Sequence, residues 1–186
     1  MPKIYIDQGH NPTNPNAGAE GNGYREQDLV QVIGVLTADS LRAEGFDVRL
    51  SRPTPETQLG TSNATSLAAR VNDANSWGAD LFISLHANAS SIESASGSEG
   101  LVYSLGGEAE RLAEDILRQL SYETGLRDRG VTARPGLYVL RRTAMPAVLV
   151  ELGFITNPYD AQLMAESPGL FAAGITNGVL DYYGRL

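Results

Sequence analysis

Two histidines and one glutamate stand at the ends of strand-like segments, and their side chains are of the types that bind metals or move protons. His10 and His86 are the only histidines of the chain, and each directly follows a short segment typical of a core strand. Glu151 directly follows a third such segment. Because the carboxyl ends of parallel strands line one crevice of an α/β sheet, we expect the three side chains to converge there. Imidazole and carboxylate together suit Zn²⁺.

Each of these residues also has a simpler interpretation. A histidine is commonly a hydrogen-bonded structural or surface residue. A carboxylate beside the apolar run 148–150 is costly to bury unless it has a cation, a proton or access to solvent in the crevice. The matching positions of His10 and His86 favour the metal interpretation, and Glu151 is then the candidate for proton transfer.

A third protein ligand is needed, because a catalytic zinc commonly has three protein ligands and one open position. Glu26 begins the first predicted helix, after the loop that starts at His10, so it lies near the same end of the sheet. A carboxylate there also favours the helix dipole without any metal. The spacing therefore leaves four acidic candidates open: Glu20, Glu26, Asp28 and Glu99.

Hydrophobic periodicity predicts the elements that position these residues. Strands are predicted at 3–7, 46–50, 81–85, 101–104, 137–140 and 147–150, and helices at 26–44, 67–77, 108–123 and 170–183. Asn157-Pro158 is typical of a helix start, with the asparagine as N-cap. Strands that alternate with helices predict an α/β fold: a single domain over 1–186, with an open, twisted, mostly parallel sheet of about six strands and helices on both faces.

Composition excludes several classes of function. The chain has no cysteine, which excludes disulfides and thiolate chemistry. Its formal net charge of -8 disfavours nucleic acid and anionic membranes as partners. No apolar stretch approaches the roughly 20 residues that span a bilayer, and no signal-peptide core follows Met1. No phosphate-binding glycine motif or serine-nucleophile motif is present.

At this point the residues resemble a known family, the zinc-dependent N-acetylmuramoyl-L-alanine amidases of type 3. Four ordered blocks carry the resemblance: Asp7–His10, Gly18-Ala19 with Gly23–Asp28, Ala79–Asn88 and Met145–Asn157. Smaller blocks agree, namely Ser51-Arg52 and Arg70 with Ala74-Asn75. The resemblance spans nearly the whole chain. One departure is the segment 11–16, rich in Asn and Pro, where many members have glycines.

The resemblance implies that His10, Glu26 and His86 are zinc ligands and that Glu151 is the catalytic carboxylate. It implies hydrolysis of the amide between N-acetylmuramic acid and L-alanine in bacterial peptidoglycan. It also places Asn88 and Arg141 near the site, without a role. Two alternatives differ in the bond cleaved or in having no activity: a zinc peptidase or deacetylase acting on another wall amide, and a non-catalytic wall-binding domain.

Regulation and location are further expectations. Some exported members of this family carry a helix after the second histidine strand that covers the site until an activator removes it. Here the segment 89–98 has one large apolar side chain and no helical stripe, so we expect an open site and no obligate activator protein. We expect action at the bacterial cell wall, by a phage-encoded enzyme, one exported by another route or a domain of a longer protein.

Overall fold

The computed structural model describes residues 1–186 and contains eight strands and six helices. The strands are β1 (Lys3–Gln8), β2 (Glu20–Gly21), β3 (Tyr24–Arg25), β4 (Asp47–Leu50), β5 (Leu81–Asn88), β6 (Ser98–Val102), β7 (Asp128–Ala133) and β8 (Ala147–Phe154). The helices are α1 (Glu26–Ala43), α2 (Asn63–Trp77), α3 (Glu108–Thr124), α4 (Tyr138–Arg142), α5 (Pro158–Glu166) and α6 (Pro168–Tyr182).

The main sheet has six strands in the order β4-β1-β5-β8-β6-β7. The first four strands of this order are parallel to one another, and β6 is antiparallel to β8. The two longest apolar strands, β5 and β8, lie at the centre, where both faces of the sheet are covered. The predicted α/β class and mostly parallel sheet are therefore confirmed.

Alternating side chains of the central strands supply two cores, one on each face of the sheet. Ile83 and Leu85 belong to the larger core, which is completed by residues of α1, α3 and α6. Phe82 and Leu149 belong to the smaller core, with residues of α2 and α4. Helices thus lie on both faces, as predicted.

Helix α2 begins four residues before its predicted start, because its N-terminus is capped by polar side chains. Ser62 Oγ accepts a hydrogen bond from the Thr65 amide at 3.1 Å, and Thr65 Oγ1 accepts one from the Ser62 amide at 2.9 Å. Such a reciprocal cap satisfies two amides that lack helical partners. At the other end Gly78 has a φ of 70°, the left-handed conformation that ends helices.

Two elements in the second half differ from the prediction. Residues 137–140 do not form a strand: Leu137 is the N-cap of α4, and 138–140 are its first residues, of which Val139 and Leu140 are buried. The strand in this region is β7, at the edge of the sheet, where Val131 and Thr132 pair with β6. Short apolar runs do not distinguish helix from strand, and edge strands lack the apolar alternation that identifies central ones.

The segment predicted as a loop before α1 contains a small hairpin, in which Glu20 pairs with Arg25 and Gly21 with Tyr24. The helix start predicted at Asn157 is confirmed, since its side chain accepts hydrogen bonds from two amides of α5. No helix of the chain is both long enough and apolar enough to cross a membrane.

Candidate metal centre

His10 lies just beyond β1, where the chain turns away from the sheet. The Gly9 amide still donates to the Leu85 carbonyl at 3.0 Å, so the chain follows β5 up to that residue. His10 then has a φ of 65°. A residue with a side chain pays about 1–2 kcal/mol for this left-handed conformation, so the surrounding structure must hold it.

Gly9 allows the two histidines to approach each other. A Cβ atom at this position would lie 2.5 Å from His86 Cε1 and 2.7 Å from the Leu85 carbonyl oxygen. The imidazole rings of His10 and His86 meet edge to face, with centroids 4.9 Å apart. Gly18 has a similar role on the other side, where a Cβ would lie 2.8 Å from Glu26 Oε2.

His86 and Glu151 are neighbours on adjacent strands. β5 and β8 both extend beyond their predicted ends, so the two residues lie within strands rather than after them. His86 pairs in register with Glu151 of β8, and Glu151 pairs with Glu99 of β6. Residues paired in register share one face of a sheet, so the three form a row near the carboxyl ends of β5 and β8.

Glu26 is the first residue of α1, and its carboxylate joins the two histidines. Its Oε1 lies 3.1 Å from His10 Nε2 and 3.0 Å from His86 Nδ1. Two backbone amides orient the carboxylate: the Ala87 amide donates to Oε1 at 3.0 Å and the Ala19 amide to Oε2 at 2.9 Å. The side chain is therefore directed at the histidines by groups distant in sequence.

The other acidic candidates lie elsewhere. Glu20 and Asp28 are exposed and approach Arg25 at 3.9 and 3.5 Å. Glu99 accepts a hydrogen bond from Thr132 Oγ1 at 3.1 Å on the far side of β8 from His86. Of the four carboxylates that the sequence left open, the structure brings only Glu26 together with both histidines.

The three side chains fit a zinc ion. Two imidazole nitrogens and one carboxylate oxygen are a common donor set for zinc, and all three donors lie within 4.8 Å of one another. At zinc-ligand distances of 2.0–2.1 Å, neighbouring donors of a tetrahedron lie about 3.3 Å apart, close to the separations from Glu26 Oε1 to the histidine nitrogens. The histidine side chains are 21% and 19% exposed, so solvent reaches the site.

The two carboxyl groups of this site differ in their proton affinity. Burial tends to raise the pKa of Glu26, but hydrogen bonds from His10 and His86 outweigh it and hold the pKa well below its usual range. Burial raises the pKa of Glu151 to about 7, with His86 opposing and the charges of Glu26 and Glu99 adding to the rise. Glu151 Oε2 is buried and has no hydrogen-bond partner.

A buried polar network lies next to the candidate ligands, and the sequence reasoning did not find it. Arg70 Nη1 donates to Asp7 Oδ1 at 2.6 Å, and both residues are 1% exposed. Ser84 Oγ donates to Asp7 Oδ2 at 2.7 Å. Burial acts to raise the pKa of Asp7, but the charge of Arg70 and the hydrogen bonds from Ser84 and Arg70 together outweigh it. The pKa is lowered, and the carboxylate stays ionised. All three residues lie in blocks of the family resemblance, Asp7 and Ser84 in main blocks and Arg70 in a minor one, but nothing in the sequence showed that they contact one another.

A recess of about 130 Å³ adjoins the two histidines on the face covered by α2 and α4. Its apolar lining is Leu67, Leu137, Tyr138, Val139 and Leu149. Asn88 lies two residues beyond His86 in β5, and its Oδ1 accepts a hydrogen bond from the Ala89 amide at 2.9 Å. Arg141 does not line this recess but a separate groove beside Ala147, at the amino end of β8.

The fold and the three converging side chains define an α/β protein with a candidate metal site at the carboxyl edge of its sheet. A sequence model of the N-acetylmuramoyl-L-alanine amidase family, Amidase_3, matches residues 4–181. The chain belongs to this family.

Individual relatives agree in sequence and in fold. The N-acetylmuramoyl-L-alanine amidase LytC of Bacillus subtilis is 39% identical over 186 residues, covering 97% of this chain and 35% of LytC, so the chain spans about a third of that relative. The catalytic domain of the amidase CwlV from Bacillus (Paenibacillus) polymyxa superimposes with a TM-score of 0.86 at 27% identity, covering 100% of both chains. The CwlD amidase of Clostridioides difficile, solved in complex with the GerS lipoprotein, shares the fold with a TM-score of 0.91 at 22% identity, covering 99% of both chains.

Proposed function

We propose that residues 1–186 form a single catalytic domain that hydrolyses the amide bond between N-acetylmuramic acid and L-alanine of bacterial peptidoglycan, with zinc as cofactor. The observation that carries the proposal is the convergence of His10, Glu26 and His86 beside the half-buried carboxyl group of Glu151, whose Oε2 is buried without a hydrogen-bond partner. Membership of the amidase family supports the choice of bond and substrate.

His10, Glu26 and His86 are the proposed ligands. When bound, zinc supplies polarisation of a carbonyl and lowers the pKa of water towards 7, so that water attacks near neutral pH. The ionised Glu26 offsets part of the cation's charge, and its two amide donors keep the carboxylate in place. These donors support metal binding because ligands held by surrounding hydrogen bonds need little reorganisation.

Glu151 is the proposed proton-transfer group. It lies beside His86 in the sheet, and its pKa of about 7 in the absence of a cation suits a group that must both take and release a proton. In this proposal Glu151 accepts the proton of the attacking water and returns it to the leaving amine nitrogen of L-alanine. The products are a glycan strand and a free stem peptide.

The site is proposed to work without an activator protein. Residues 89–97, between β5 and β6, contain no helix. The segment is tied to the start of α5: Asp160 accepts hydrogen bonds from Ser96 Oγ and the Gly97 amide, and Asn157 Nδ2 donates to the Glu93 carbonyl. Since CwlD was solved with a lipoprotein partner, independence from a partner stays a prediction. It is checked by assaying the purified chain alone on peptidoglycan.

Peptidoglycan is the proposed partner, and the bacterial cell wall is the proposed place of action. The decisive experiment is mass spectrometry of the fragments that the zinc-loaded protein releases from purified peptidoglycan. Stem peptides with a new L-alanine amino terminus are expected. A new amino terminus at another residue, or released acetate, would instead indicate a peptidase or a deacetylase, and the absence of any fragment would indicate a binding domain.

Glu151→Gln is the matched control for this experiment, because it keeps the size of the side chain and removes its ability to take a proton. The variant is expected to bind zinc and to release fragments about 10²- to 10⁴-fold more slowly. A rate close to that of the wild type would contradict the assignment of Glu151.

A further inference from the structure

Two buried arginines contact the backbone of the turn that carries His10. Arg70 Nη1 donates to the Gln8 carbonyl at 2.6 Å, and Arg70 Nη2 donates to the His10 carbonyl. Gly9 stands between these two residues, and its carbonyl oxygen lies 3.4 Å from Arg52 Nη1. Three consecutive carbonyls of one turn therefore face two guanidinium groups.

The turn has a left-handed backbone conformation at His10, the residue that supplies the proposed zinc ligand. His10 is one of three residues other than glycine with a positive φ, the others being Asn16 and Asn22. Asparagine adopts this conformation more readily than most residues, so Asn16 and Asn22 need little support. His10 must hold the conformation while its imidazole also contacts Glu26. The hydrogen bond from Arg70 to the His10 carbonyl acts on the peptide group that follows this φ and holds the turn in its shape.

The same guanidinium groups connect the segments of all three proposed ligands. Arg52 Nη1 donates to the Gln27 carbonyl at 3.1 Å, one residue after Glu26. Arg70 is joined through Asp7 to Ser84, which lies two residues before His86 on the same face of β5. A displacement of either arginine would therefore shift segments that carry the proposed ligands.

Stability alone does not account for this arrangement. Arg52 and Arg70 are 0% and 1% exposed, yet Asp7 is the only carboxylate within ion-pair distance of either. The Nε atoms of both arginines are buried without an acceptor. Buried ion pairs that leave donors unsatisfied are often no more stable than apolar residues of similar volume. The position of the guanidinium groups, next to the candidate ligands, offers a functional reason for their presence.

We propose that Arg70 is a positioning residue, which holds the turn at residues 8–10 so that the His10 imidazole is presented to zinc. The inference rests on the proposed zinc site but not on the bond that the enzyme cleaves. Arg70 acts through the turn that carries His10, while Asp7, itself bonded by Ser84, holds the guanidinium in place. Arg70 contacts neither metal nor substrate.

The test measures the zinc dissociation constant by competition with a chelator for the wild type and for Arg70→Lys. Lysine keeps the charge but cannot donate from two nitrogens held in one plane, so it cannot bond the Gln8 and His10 carbonyls as arginine does. Zinc binding is expected to weaken about 10- to 100-fold, as on loss of other groups that orient metal ligands. Arg118→Lys, in an exposed ion pair on α3, is the matched control and should change zinc binding less than about twofold.

A double-mutant cycle separates positioning from a general structural role. If Arg70 acts through His10, Arg70→Lys should cost little further zinc affinity in a His10→Ala background, where the positioned ligand is already absent. The residual affinity of the His10→Ala variants is too weak for zinc to survive purification, so it is measured by titration at high zinc concentration. Equal losses in both backgrounds would mean that Arg70 affects the whole site, and the proposal would be overturned.

The remaining outcomes are also decisive. If circular dichroism shows that Arg70→Lys does not fold, Ser84→Ala takes its place, because it removes only one hydrogen bond of Asp7. A roughly 3- to 10-fold weakening is then expected, and unchanged binding would refute the proposal. A wild-type chain that binds no zinc would refute the proposed function itself, whereas a wild type that binds zinc no better than Arg70→Lys would refute this inference alone.

Discussion

Replacing Glu151 by glutamine should stabilise the metal-free protein, and the gain should depend on pH. Burial and the charges of Glu26 and Glu99 raise the pKa of Glu151 from 4.5 to about 7, against the opposing effect of His86. The folded chain therefore favours the protonated carboxyl group. The raised pKa therefore contributes fully to the stability of the folded chain below pH 4.5. This contribution is lost as the pH rises through 7, because above that pH the folded chain must hold the ionised carboxylate in its half-buried position.

The magnitude follows from the change in pKa. Each pKa unit corresponds to about 1.4 kcal/mol, so the ionised form of Glu151 destabilises the folded chain by up to about 3 kcal/mol above pH 8. Glutamine has no charge and nearly the same volume. The free energy of unfolding of Glu151→Gln relative to the wild type should therefore increase by up to about 3 kcal/mol between pH 4.5 and pH 8. In a domain of this size that corresponds to a rise in Tm on the order of 6–12 °C.

The assay is urea unfolding of the chelator-treated protein at pH 5 and pH 8. Glu114→Gln, at an exposed position of α3, is the control for removing one carboxylate from an acidic chain. Adding zinc should reduce the advantage of glutamine, because a cation held by His86 favours the ionised form of its neighbour. If the difference between Glu151→Gln and the wild type is the same at both pH values, Glu151 does not titrate in this range and the reasoning is wrong.

Three further predictions concern the metal site and the segment that borders it. The chain should bind one zinc ion, and metal and activity should be lost together in each of the single variants His10→Ala, Glu26→Ala and His86→Ala, as measured by elemental analysis and fragment release. Gly9→Ala should weaken zinc binding about 10-fold or more, because its Cβ would lie 2.6 Å from His86 Nε2. Asp160→Ala should lower the free energy of unfolding by about 3 kcal/mol, because the amides of Gly97 and Phe154 lose their acceptor, and should expose residues 89–97 to proteases.

Each of these predictions has a control or a contrary outcome. A ligand variant that retains full zinc occupancy is wrongly assigned. Gly169→Ala is the control for Gly9→Ala, because a Cβ there meets no atom within 4 Å, and zinc binding should not change. Asp39→Ala removes an exposed partner of Arg42 and should cost less than about 1 kcal/mol. An Asp160→Ala variant as stable as this control would show that the buried hydrogen bonds contribute little.

The sequence alone predicted the central strands and the long helices, because their hydrophobic patterns are local. It predicted both histidines and Glu151 at the carboxyl edge of one sheet for the same reason: each follows an apolar strand, and parallel strands end together. Family resemblance added Glu26, where spacing alone had left four acidic residues open.

The tertiary structure decided what depends on partners distant in sequence. The carboxylate of Glu26 is aimed by the amides of Ala19 and Ala87, and the second of these lies 61 residues away. Arg70 is buried because Asp7, 63 residues before it, supplies its countercharge. β7 exists as a strand only because β6 pairs with it at the sheet edge. No local pattern encodes these features, since each polar group or edge strand is stabilised by long-range contacts that form only when the chain is folded.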